Sequence, residues 1–270
     1  MKVLAGKAFT LVELSIVIAV IAILGAILLP TLERARGRGQ RVACANNLKQ
    51  LQAGWHLYAG DNNGIMPVNN WDGITGDFAA SLPGSWVVGN ARETSWTNIV
   101  RGTQWPYNPS LGVYHCPADR SVARDGSTVR FRSYSLSVFL GSPPGGPYTA
   151  WKVHRMSQLQ RTATILGFAC EDDECIEDGI FGIDPPPVTQ WNNLPSSTRH
   201  DRGCCFSFVD GHVEYWRWNA GTFKFAGRPQ PAKAAELPDL QRIQKAIPDP
   251  VKSDRGSHLS NSVARGQAGE

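Results

Sequence analysis

Residues 9–29 read FTLVELSIVIAVIAILGAILL, an apolar run with one charge, Glu13, closed by Pro30. A helix needs about 20 such residues to cross the hydrocarbon of a bilayer. Whatever else the chain folds into must hang from this segment. An ionisable side chain inside such a span is costly and calls for a partner. A secretory signal is a poor fit, because its apolar region is only about 7–15 residues long and a small-residue cleavage site follows it. Here the run ends in Pro30-Thr31-Leu32-Glu33-Arg34, and the small residues Gly6 and Ala8 lie ahead of it.

Residues 1–8 carry Lys2 and Lys7. A cut between Ala8 and Phe9 would remove this basic leader and keep the helix. It would leave Phe9 as a new N-terminus, with an amine four residues ahead of Glu13. A carboxylate and an amine in an apolar bundle are tolerable only as a pair.

The order Lys7-Ala8-Phe9-Thr10-Leu11-Val12-Glu13-Leu14, then an apolar helix, then Pro30, resembles the prepilin leader and helix of type IV pilins and type II secretion pseudopilins. The resemblance implies cleavage between Ala8 and Phe9 by a membrane prepilin peptidase and N-methylation of Phe9. It implies that Glu13 pairs with the N-terminal amine of a neighbouring subunit as a fibre grows, and that Pro30 curves the helix. The chain departs from the family in having Ala8, where glycine usually precedes the cut. By charge alone, Arg34, Arg36, Arg38 and Arg41 outweigh the two leader lysines and place the large domain in the cytoplasm. The leader motif is more specific than a charge count and places the head outside. The implied location is the inner membrane, single-pass, with an exported head that joins a periplasmic or cell-surface fibre after assembly.

Beyond Pro30 the helix is weakened by Gly37 and Gly39. An apolar stripe then resumes at Leu48, Leu51, Trp55 and Tyr58. Gly60 and Asp61-Asn62-Asn63-Gly64 read as a stop and a turn. The expected helix is 9–59, its 9–29 part transmembrane and its second half packed on a head.

With 27 Gly, 18 Pro and 9 Trp in 270 residues, the remainder reads as strands between turns. The expected class is α+β, with a long helix on an antiparallel β-rich, loop-rich head over 60–227 and a flexible tail from 228 to 270. A short helix is expected around 237–246. Candidate strands are 85–88, 133–139, 164–169, 204–209 and 212–218. Asp210-Gly211 between the last two predicts a type I′ hairpin turn. His200, nine residues, then Asp210-Gly211 resembles the C-terminal signature of a pilin-like family. Cys116-Pro117-Ala118-Asp119 and Ser133-Tyr134 also resemble parts of that family.

Chemistry can be sought in several places. His200, Asp201, Asp210, His212 and Glu214 are metal-ligating or hydrolytic types. The plainer reading puts Asp210 in the turn, His212 and Glu214 on an exposed strand face, and His200 on a local backbone group. No catalytic triad or phosphate loop is legible. The acidic segment holding Glu171, Asp172, Asp173 and Asp178 is a calcium candidate, though it lacks EF-hand order and reads more simply as a solvated loop. No other cofactor is expected.

Cys44, Cys116, Cys170, Cys175, Cys204 and Cys205 are an even set, which in an exported domain implies disulfides. Cys170 with Cys175 would close the acidic segment, and Cys44 with Cys116 would tie helix to head. Adjacent strand residues face opposite ways, so at most one of Cys204 and Cys205 is expected to face the core. A cysteine zinc site lacks the usual C-x2-C spacing.

A net charge of +4 carries no nucleic-acid signal. The reading is a structural, non-enzymatic fibre subunit. Its partners are prepilin peptidase, other pilin or pseudopilin subunits and inner-membrane lipid. The alternative is a membrane-tethered binding protein that forms no fibre and uses Trp71, Trp86, Trp96 and Trp105 on a glycan.

Overall fold

The structure, a computed structural model, describes residues 10–73, 79–143 and 148–250. The first element is one unbroken helix, α1 (Leu11–Asp61), which runs through Pro30. It opens on a capping box. The Thr10 side chain accepts from Glu13 N at 3.2 Å, and Thr10 N donates to Glu13 Oε2 at 2.9 Å. It ends in a turn where Asn63 and Gly64 take positive φ.

The two halves of α1 live in different surroundings. Every Leu, Ile and Val from Leu11 to Leu32 is 46–82% exposed. From Cys44 the helix presents a buried stripe, namely Cys44, Leu48, Leu51, Trp55 and Ala59. Steps of three and four place these on one face. Tyr58, expected in the stripe, lies at its half-buried margin. Where Gly54 faces the head, a Cβ would lie 2.0 Å from Asn108 Oδ1.

The head is built on a sheet in the order β3-β1-β2-β5-β6. Its strands are β1 (Tyr134–Ser137), β2 (Leu166–Cys170), β3 (Ile180–Phe181), β5 (Gly203–Phe208) and β6 (Val213–Arg217). The β1–β3 pair is parallel and the other pairs are antiparallel. A second ribbon pairs β4 (Gln190–Trp191) with β7 (Gln230–Pro231). The head also has a short helix α2 (Thr97–Val100), a helix α3 (Leu237–Gln244) and several 3-10 turns. The protein is thus α+β, and its head sheet is mainly antiparallel.

Helix α1 covers one face of the sheet. Tyr134 of β1, Cys170 of β2 and Ser207 of β5 point toward it: Tyr134 Oη meets Cys44 Sγ at 3.4 Å, and Ser207 Oγ meets Gln52 Oε1 at 2.9 Å. The opposite face is covered by the C-terminal segment. Phe206 contacts Trp216 and Trp218, Trp218 contacts Phe223, and Phe223 contacts Trp191.

Several expectations change here. The flexible tail does not begin at residue 228. Leu240, Ile243, Ala246 and Ile247 are buried, and Leu166 N donates to Ala246 O at 2.8 Å. The polar composition hid one apolar face of α3; residues 251–270 lie outside the described residues. Cys204 and Cys205 are both fully buried, because the sheet is covered on both faces. Residues 85–88 form no extended strand and are held by a bridge from Val68 to Ser85 and by turns. The hairpin turn is not type I′. Gly211 has φ +99° while Asp210 keeps negative φ, and Gly211 N donates to Phe208 O at 2.9 Å. This is the three-residue loop Val209-Asp210-Gly211, a turn followed by a left-handed glycine.

Candidate functional site

Two places stand out, the bare end of α1 and the seam where its second half meets the sheet. At the bare end, Glu13 accepts from both the backbone N and the hydroxyl of Thr10, the latter at 2.7 Å. Its carboxylate therefore sits at the helix start, on Thr10. The Thr-x-x-Glu pattern that makes this cap was present in the sequence and went unread as a helix start. Ala8 and Phe9 lie outside the described residues. Pro30 lies inside α1 without ending it, and next to it Thr31 Oγ1 donates to Leu28 O at 2.7 Å.

At the seam, four distant segments meet. Cys44 comes from α1, Cys116 from the Cys116–Asp119 turn, Cys170 from the end of β2, and His200 from the loop before β5. Their ligand atoms all lie within 4.8 Å of one another. The three thiols are fully buried and His200 is 7% exposed. His200 Nε2 is 3.2 Å from Cys116 Sγ. Its Nδ1 is buried with no hydrogen-bond partner among the described residues. Burial, then the charges of Arg199 and Arg41, push the His200 pKa down to about 4, so the imidazole is neutral. Burial likewise pushes the Cys44 thiol well up.

Each group is held locally. Asp119 N closes the Cys116 turn on Cys116 O at 2.8 Å. Cys116 N donates to Ser133 Oγ at 3.0 Å, and Ser133 Oγ donates to Asp119 Oδ2 at 2.6 Å. Arg199 joins the cluster to this turn, with Nη2 3.0 Å from Asp119 Oδ1 and Nη1 3.4 Å from Cys170 Sγ. His200, Asp201 and Arg202 are three successive non-glycine residues with φ of +53°, +57° and +59°. Each left-handed residue costs on the order of 1 kcal/mol or more, and such positions persist where surroundings fix them. Tyr215 Oη does part of that fixing by donating to His200 O at 2.7 Å. His200 therefore does not serve a local backbone group with its ring, as the plainer reading expected; the ring faces the thiols.

The other candidates separate from this cluster. Asp210, His212 and Glu214 stand on the exposed hairpin, with His212 Nδ1 2.5 Å from Asp210 Oδ1 and Nε2 3.4 Å from Glu214 Oε1. Asp201 is exposed and lies 3.7 Å from Arg217. Most of the acidic segment is buried rather than solvated. Glu171, Asp172 and Asp178 are buried, and Asp173 is partly exposed beside Arg199. Glu171 is met by Asn193 and Arg228, and Arg132 donates to the carbonyls of Glu177 and Asp178. Burial pushes Asp172 up to about 6 and Asp178 up to about 7.

All six cysteines are free thiols. Cys175 points to Leu194 O and Glu171 rather than toward Cys170. Cys205 adjoins Cys44, and Cys204 donates to Cys170 O at 3.0 Å. The four tryptophans do not share a surface. Trp86 is core, Trp105 stacks on Tyr114, Trp96 is 49% exposed, and Trp71 borders a cavity with Tyr148 and Asp178.

The exposed apolar half-helix and the head beneath it are the features to compare with known proteins. The chain is 46% identical over 115 residues to the type IV wide pilus major component PilA4 of Thermus thermophilus. The match takes in 40% of this chain and 86% of that protein. The chain belongs to the type IV pilin family. No family model matches it, and no solved structure matches it. Most of this pilin's length, more than half, lies outside the matched portion.

Proposed function

We propose that this pilin-like chain is a structural fibre subunit. Prepilin peptidase cuts it between Ala8 and Phe9, and the new amine is methylated. It waits in the inner membrane with its head exported, then joins a type IV pilus or a type II secretion pseudopilus through α1. It catalyses no reaction; its partners are the peptidase, membrane lipid and other subunits.

One observation carries this reading. The apolar half of α1 is exposed on all sides, and the head covers the helix only from about Cys44 on. Such a surface is stable only in lipid or in a bundle of like helices. Glu13 offers an incoming amine of a second subunit a carboxylate in apolar surroundings, and among the described residues its carboxylate is met by Thr10.

The test is mass spectrometry of the mature N-terminus from cells with a prepilin peptidase, together with a Glu13→Ala variant. A methylated Phe9 start is expected. The variant should be processed and should keep the unfolding temperature of the head, yet fail to enter sheared fibres. An intact Met1, or a cut beyond Pro30, would overturn the pilin pathway for this chain. Fibres that form normally with Glu13→Ala would overturn the pairing role.

A further inference from the structure

We propose that Cys44, Cys116, Cys170 and His200 form a closed structural site for one zinc ion that clamps α1 to the head. The site does not depend on whether the chain forms a fibre.

The donor set is the first argument. Three thiolates and one imidazole are a standard structural zinc set, with Zn–S about 2.3 Å and Zn–N about 2.0–2.1 Å. Tetrahedral ligands at those lengths stand roughly 3.5 Å apart. Here all four donor atoms lie within 4.8 Å of one another, and Cys116 Sγ and His200 Nε2 are 3.2 Å apart. Four ligands leave no open position, so the site is structural and not catalytic.

The surroundings are the second argument. His200 is aimed into the cluster by a left-handed turn of three non-glycine residues, and a ring turned toward ordinary packing would not need that strain. Zinc with three thiolates carries one net negative charge, and Arg199 lies 3.4 Å from Cys170 Sγ to meet it. Arg41, stacked 4.4 Å over the Tyr215 ring, adds a second cation on the same side of the sheet, with its backbone O 3.9 Å from Cys205 Sγ. A cleft lined by Gln40, Asp119, Arg199 and His200 gives the ion a way in.

The main competitor is oxidation, because an exported head meets an environment where thiols pair. A disulfide between two of the three cysteines would use only two of the four converging groups and would leave the third thiol and the imidazole outside the link. Zinc uses all four groups. On binding, three S–H bonds break and three protons leave to solvent, three Zn–S bonds and one Zn–N bond form, and nothing is oxidised.

Detergent-solubilised full chain, purified without chelator, is assayed for metal by plasma mass spectrometry and for free thiols. About one zinc per chain is expected. Cys116→Ser and His200→Ala should each lower zinc affinity by more than the ~10–100-fold typical of outer-shell changes. His212→Ala, on the exposed hairpin, should leave zinc content unchanged. Two measurements remain informative if the loss variants fail to fold. Cobalt loaded into the wild-type chain should give tetrahedral d–d bands with thiolate charge transfer. His200→Cys should keep the metal and shift that spectrum toward four thiolates. A disulfide joining two of Cys44, Cys116 and Cys170 in peptide maps would overturn the site. So would three titratable thiols without metal, or zinc that survives Cys116→Ser and His200→Ala.

Discussion

Gly54 and Gly37 occupy the same helix and have opposite reasons to be glycine. At Gly37 a Cβ would meet nothing within 4 Å. At Gly54 it would sit 2.0 Å from Asn108 Oδ1, in the polar seam where Gln104 Nε2 donates to Leu51 O at 2.9 Å and to Asn108 Oδ1 at 2.8 Å. Helix propensity alone favours alanine over glycine by up to about 1 kcal/mol at either position. Overpacking a fixed seam costs about 1–3 kcal/mol. Thermal unfolding in detergent should therefore show Gly37→Ala at or above wild type and Gly54→Ala clearly below it. Equal shifts would mean that the seam yields. Asp178 offers a second residue-scale test. Burial holds its folded pKa at about 7, against about 3.9 for an unfolded aspartate. Between those values the folded state binds the extra proton, so its contribution to stability is full below pH ~4 and is lost as pH rises through about 7. Glu171 and Asp72 add to the rise, and Arg132 opposes it. Asp178→Asn keeps an acceptor for Ile180 N, which now donates to Oδ1 at 2.8 Å. The variant should flatten the fall in unfolding temperature between pH 5 and 8, and an unchanged slope would place the titration elsewhere.

At the scale of elements, what was legible followed periodicity. The apolar run with its single acid and the three–four stripe read over Leu48, Leu51, Trp55 and Tyr58 describe α1 almost to its last turn, with Tyr58 at the half-buried margin of the stripe and Ala59 inside it. The alternating Phe206 and Phe208 mark β5, and the tyrosine and leucine of 134–136 mark β1. What was not legible depended on partners far away in the chain. The thiol and imidazole cluster draws one residue from each of four segments, so no local spacing announces it. The absence of C-x2-C argued against zinc only for a site built from one ribbon. The hairpin turn was misread because Asp-Gly fits two loop lengths, and Val209 decides between them by donating its N–H to Ile165 O at 2.9 Å. The acidic segment looked solvated because its counter-charges, Arg132 and Arg228, come from elsewhere in the chain. The burial of α3 was hidden because only Leu240 and Ile243 of its eight residues are apolar and buried.

Over the whole molecule, α1 does two jobs with a boundary between them. Before Arg34 it makes no side-chain contact with the head among the described residues. Gln40 Nε2 begins the contact by donating to Pro117 O at 3.0 Å, and Asn47 Nδ2 follows on Gly112 O and His115 O. From Cys44 to Ala59 the helix supplies one wall of the core. Removing the first part costs the head nothing, whereas removing the second exposes Tyr134, Phe168 and Cys170 and leaves Gln52's partner Ser207 bare. A chain starting at Thr31 should therefore be water-soluble, with an unfolding transition like that of the full chain in detergent. A chain starting at Asp61 should not fold, since it loses the fully buried side chains of Cys44, Leu48, Leu51, Gln52 and Trp55, and each large-to-small loss in a core costs about 2–5 kcal/mol against a total of only about 5–15. Circular dichroism melts of the two truncations decide the matter. If the shorter chain melts cooperatively, the head owns its core, and α1 is a handle attached to it. If only the longer one does, the helix that reaches into the membrane is also the wall of the head, and a pull along the fibre is borne by the same residues that hold the fold.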